Sequence, residues 1–141
     1  FNKRKVDYVV HTGDITNALT LEKFADLECK LFGVYGNNDK YEIGLDDVAK
    51  KNGFKFVTPP LLIRKQNRNI AVFHEPEIIE DYLKRNSDID IVLHGHTHRY
   101  RREILNEVLF FNPGESAGML EGKNAVGLLN LNDLSTEIIF F

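Results

Sequence analysis

The chain has 141 residues, 28% charged and 43% hydrophobic, with one cysteine, five histidines and no tryptophan. That length suits one compact domain, which buries enough surface to fold without disulfides or a structural metal. One cysteine excludes an internal disulfide, no apolar run reaches the roughly 18 residues of a membrane span, and 18 basic against 21 acidic residues (net −3) give no strong nucleic-acid signal.

These features predict a cytoplasmic, globular protein. Residues 1–5 read as the end of an element. Residues 6–10 form a buried-strand run, then a loop over 11–16 and a helix over 19–27 whose apolar residues fall near helical spacing. A strand over 30–35, a loop over 36–41 and a helix over 45–51 follow, with Gly53 closing that helix. Pro59-Pro60 marks a loop inside the domain. Strands over 61–64 and 70–74 flank a polar turn at 66–69, and a helix over 77–85 leads to a strand at 89–93. Two hairpins finish the chain: 101–105 with 108–111 through Asn106, and 125–131 with 136–141 through Asn132-Asp133. Alternation in the first half implies parallel strands, and the hairpins add antiparallel ones, so the class is α/β with a large mixed β component.

Four times, a strand run ends and a polar, metal-capable side chain follows at once: at His11-Thr12-Gly13-Asp14, Gly36-Asn37-Asn38-Asp39, His74-Glu75 and His94-Gly95-His96-Thr97-His98. Ligands of open α/β sheets sit beyond the carboxyl ends of the strands, so these loops are expected to converge. Asp14 has two oxygens able to bridge cations, and Asn37 offers a neutral amide oxygen. His96 and His98, two apart in an extended strand, are expected to face one side. One carboxylate, one amide oxygen and three imidazoles (His74, His96, His98) suit a transition metal better than calcium or an all-thiolate zinc site. Arg99–Arg102 reads as a charged strand face, and Glu115-Ser116 either approaches the pocket or forms a plain turn.

Together with Asn112-Pro113-Gly114-Glu115-Ser116, these motifs resemble the ordered signature of calcineurin-like metallophosphoesterases, in particular their small archaeal and bacterial phosphodiesterase branch, relatives of a retromer subunit. The resemblance covers nearly the whole chain. It implies a four-layer αββα sandwich of two mixed sheets. It also implies two divalent transition-metal ions, manganese foremost, with nickel, iron or zinc as alternatives. Asp14 would bridge both ions, Asn37, His74 and His96 would complete one site, and His98 would serve the other. Two such ions, about 3.5–4 Å apart, would hold a bridging hydroxide that attacks a small phosphodiester in line.

Two features depart from that pattern. The family's opening strand, ending in Asp-x-His, does not precede Gly13-Asp14, so the expectation is one domain over 1–141 that lacks an N-terminal strand and helix, about 20–25 residues. Asn38 stands where many members carry a histidine, and an amide donates no proton at neutral pH. Asp39 and His94 are then the local candidates for an acid, with His94 also a candidate to orient His96. The alternative to an enzyme is a protein-interaction scaffold of the same fold; a homo-oligomer is compatible with either.

Overall fold

A computed structural model describes residues 1–141. The first layer of sheet is parallel: β1 (Tyr8–His11), β2 (Lys30–Val34) and β3 (Lys55–Val57), in that order. The second is a five-stranded mixed sheet of β4 (Leu61–Lys65), β5 (Arg68–Val72), β6 (Ile91–Leu93), β7 (Arg101–Leu105) and β8 (Val108–Asn112), ordered β4-β5-β6-β8-β7. β9 (Ala125–Leu129) and β10 (Thr136–Phe140) form a separate antiparallel pair.

Burial follows directly from these layers. The inner faces meet in a core of Val34, Leu61, Ile63, Ile70, Val72, Ile91 and Leu109, closed by Leu131 beyond β9. The outer face of the parallel sheet, through Val9 and Leu31, takes Leu21 of α1 (Ala18–Glu22) and Leu45 and Ala49 of α2 (Leu45–Asn52). The far face of the mixed sheet, through Ala71, Val92 and Phe110, takes Ile79 of α3 (Ile79–Leu83). Helix, sheet, sheet, helix is the expected four-layer sandwich. Its strand pairing is finer than expected, with an all-parallel sheet, a mixed sheet and a detached hairpin.

Local differences have local causes. The helix expected over 19–27 tightens into a 3₁₀ turn, Lys23–Asp26, after one capped α turn in which Asn17 accepts from Thr20 N–H. The turn between β4 and β5 has only two residues, Gln66 and Asn67, both with positive φ, and Asn106-Glu107 repeats that geometry between β7 and β8. Such turns match the strand twist, which shifts β5 to begin at Arg68 and end at Val72. The three-residue β3 has no periodicity to read in sequence; it exists because β2 offers it a parallel edge.

Candidate active site

The ends of β1, β2, β5 and β6 release the four loops singled out in the sequence, and the structure brings them together. Asp39, 5% exposed, does the joining. Its Oδ2 accepts from Asp14 N–H (2.8 Å) and Gly36 N–H (2.7 Å), and its Oδ1 accepts from Thr16 N–H (2.8 Å). With both oxygens engaged as acceptors of backbone donors, Asp39 is a staple between two loops, not an acid. Close approach needs Gly36: a Cβ there would lie 2.1 Å from Asp14 Oδ1.

Four polar atoms face one another in the space so made. His74, 3% exposed, hydrogen-bonds through Nδ1 to the Thr12 carbonyl at 2.8 Å. A carbonyl only accepts, so the ring proton is on Nδ1 and Nε2 keeps its lone pair. That lone pair faces Asn37 Oδ1 at 2.9 Å, His96 Nδ1 at 3.2 Å and Asp14 Oδ2 at 3.4 Å. The Asn37 amide nitrogen donates to Asn38 Oδ1 at 3.3 Å, which turns its oxygen inward, 3.1 Å from His96 Nδ1. Asp14 Oδ2 also accepts from Asn38 Nδ2, so one proton on His96 Nδ1 would be shared between Asn37 Oδ1 and His74 Nε2. Ligand atoms about 2.0–2.1 Å from a transition metal stand about 2.9–3.4 Å apart, whether octahedral or tetrahedral, so these separations fit a cation.

His96 and His98 do not lie in an extended strand, contrary to expectation. β6 stops at Leu93, and both residues take left-handed backbone, φ 65° and 55°. They therefore diverge, His96 toward Asn37 and His74, His98 toward Glu115, with Nδ1 to Oε2 at 2.9 Å. This keeps His98 out of the four-atom group. In sequence Glu115 reads either as a residue approaching the pocket or as part of a plain turn; nothing there pairs it with a histidine 17 positions earlier.

The remaining candidates orient the site. Asn38 donates from its backbone to Asp14 Oδ1 (2.9 Å) and from its side chain to Asp14 Oδ2 (2.8 Å), fixing the carboxylate with both hands. His94 is buried, bonded through Nδ1 to the Gly95 carbonyl and facing Arg101 through Nε2, so it supports the loop backbone and does not orient His96. Burial, reinforced by Arg101, holds its imidazole below the ordinary range. His11 had no role assigned from sequence. Its ring sits between Phe24 and Phe56, its Nδ1 accepts from Gly13 N–H at 3.2 Å, and burial pushes its pKa down to about 4 against the pull of Asp39 and Asp14. A cleft of about 690 Å³ opens beside Asn37 and His74, flanked by Tyr35, Lys40, Glu75 and Ile78.

Two packed sheets between helices, with Asp14, Asn37, His74 and His96 gathered at the strand ends, are the frame of a metallophosphoesterase. The chain belongs to the calcineurin-like phosphoesterase superfamily, whose domain profile matches residues 1–134. It is 31% identical over 135 residues to phosphodiesterase MJ0936 of Methanocaldococcus jannaschii, covering 92% of this chain and 80% of that protein. The solved structure of a novel archaeal phosphodiesterase superposes with a TM-score of 0.88 at 26% identity, over all of this chain and 87% of the other. Vps29 of Entamoeba histolytica, solved with Zn²⁺, shares the fold at 17% identity and a TM-score of 0.55, over 95% of this chain and 97% of its own. No helix is long and apolar enough to cross a membrane.

Proposed function

We propose that this chain is a metal-dependent phosphodiesterase acting on a small phosphodiester. The observation that carries the reading is the convergence of Asn37 Oδ1, His96 Nδ1 and Asp14 Oδ2 on His74 Nε2, at 2.9, 3.2 and 3.4 Å. Asp14, Asn37, His74 and His96 would hold one divalent ion, and Asp14 with His98 a second. When bound, such a pair would supply Lewis-acid chemistry, lowering the pKa of water and stabilising charge on phosphate oxygens. Imidazole-rich donors suit zinc, iron and nickel, and manganese is the ion that the family resemblance implies.

The chain's own residues contribute position more than proton transfer. Thr12 fixes the His74 tautomer, Asn38 holds both oxygens of Asp14, and Asp39 locks the loops that carry Asp14 and Asn37. Asn38 has no proton to give, Asp39 accepts three backbone bonds, and His94 is turned to Gly95 and Arg101, so none protonates a leaving group. The substrates this site handles best therefore depart as stable anions. The cleft beside His74 gives the organic substituent a place to lie. The single cysteine, which forms no internal disulfide, is compatible with a cytoplasmic location.

The test is metal content together with turnover of an aryl phosphodiester in manganese and in chelator. Bound metal with chelator-sensitive turnover is the expected result. Less than one ion per chain and no such turnover would leave the scaffold alternative.

A further inference from the structure

Glu115 is the one buried carboxylate that the catalytic reading leaves without a role. Its side chain is 3% exposed, while that of His98 is 39% exposed. Oε2 lies 2.9 Å from His98 Nδ1, and Oε1 accepts from Leu120 N–H at 2.7 Å. Each oxygen thus already faces one partner. The backbone is held as firmly: Ala125 N–H donates to the Glu115 carbonyl at 2.6 Å.

The pairing with His98 is built by a third residue. Asn112, fully buried at the end of β8, donates through Nδ2 to the Gly95 carbonyl and to Thr97 Oγ1, both at 3.2 Å. Its Oδ1 accepts from Gly114 N–H at 2.9 Å. One amide therefore clamps the loop carrying His98 to the turn carrying Glu115. An ionised carboxylate only accepts, so in the neutral imidazole the His98 proton belongs on Nδ1 and the lone pair on Nε2. The Nδ1 edge faces buried Glu115, which leaves Nε2 as the ring nitrogen turned away from that contact.

We infer that Glu115 is a positioning residue for the second cation: it fixes the Nδ1–H tautomer of His98 and presents the Nε2 lone pair outward, an arrangement that rests on the proposed phosphodiesterase reading. An imidazole ligand needs its second nitrogen oriented, and loss of the orienting partner costs about 10–100-fold in metal affinity. His74 already uses the same device with the Thr12 carbonyl at the first cation position.

The experiment reads the tautomer directly, in metal-free protein, by long-range ¹H–¹⁵N correlation of the five histidines. Wild-type His98 is expected to show Nδ1–H and a bare Nε2, as His74 does. Glu115→Leu is expected to release His98 to a mixture rich in Nε2–H while the His74 pattern, an internal check on folding, stays unchanged. Titration with Mn²⁺ alone should then show the weaker binding step falling about 10–100-fold with the tighter step retained. Wild-type His98 carrying its proton on Nε2, or Glu115→Leu leaving the tautomer as it was, overturns the inference. Because the tautomer is read without metal or substrate, a chain that holds it yet takes up no Mn²⁺ instead refutes the phosphodiesterase reading.

Discussion

Replacing Asp39 by Asn changes one oxygen to a nitrogen and should cost about 3 kcal/mol of stability, a large share of the roughly 5–15 kcal/mol that holds a domain folded. The amide has one acceptor oxygen for three donors. Turned toward Asp14 N–H and Gly36 N–H, it keeps those two bonds but loses the charge that strengthens them, about 1 kcal/mol each. Its NH₂ group then faces Thr16 N–H, donor against donor; Thr16 is exposed, so water limits that loss to the lower end, about 1 kcal/mol. With a urea slope of about 1.5–2 kcal/mol per molar, the midpoint should fall by about 1.5–2 M at unchanged slope. Asp26→Asn, at an exposed carboxylate that makes no side-chain bond, should stay within about 0.5 kcal/mol and serves as control. Cation affinity should fall too, because Asp39 sets the backbone from which Asp14 reaches the site. A midpoint shift for Asp39→Asn no larger than that for Asp26→Asn would refute the stapling argument.

Three further outcomes are expected. Neutral His11 contributes stability that is fully present above pH 6.5 and is lost as pH falls to about 4, because the unfolded chain takes the proton first. That loss, on the order of 3 kcal/mol, should be smaller in His11→Asn when urea midpoints at pH 7 and pH 4.5 are compared; equal losses in both proteins would contradict it. Asp14→Ala should abolish uptake of both cations, whereas His98→Ala should weaken mainly one, and equal depletion by elemental analysis would contradict the ligand assignment. With Asn38, Asp39 and His94 all set aside as proton donors, a nitrophenyl phosphodiester should turn over at least about 10²-fold faster than its phenyl counterpart, the scale on which a general acid acts. Similar rates for the two esters would show that a proton donor is present.

Much of the site was legible because strand ends announce themselves locally. A hydrophobic run that stops at a glycine, asparagine or histidine is a pattern of neighbours, and four of them identified Asp14, Asn37, His74 and the loop of His96 and His98. Direction was harder to read. Two histidines at strand spacing suggest one shared face, but β6 ends after Leu93 and the left-handed residues that follow send the rings apart. Asp39 and His94 read as candidate acids from composition, and their hydrogen bonds assign them to the backbone instead.

From sequence alone came the α/β class, the order of the loops and the chemistry of their donors, all of which depend on residues a few positions apart. Tertiary structure decided which donors meet. His74 finds its carbonyl 62 residues away at Thr12, Asp14 is held from Asp39 25 residues on, and Glu115 reaches His98 only because Asn112 joins two loops across the mixed sheet. Such pairs leave no periodic trace in the chain, because what brings them together is the packing of two sheets whose strands are distant in sequence and adjacent in space.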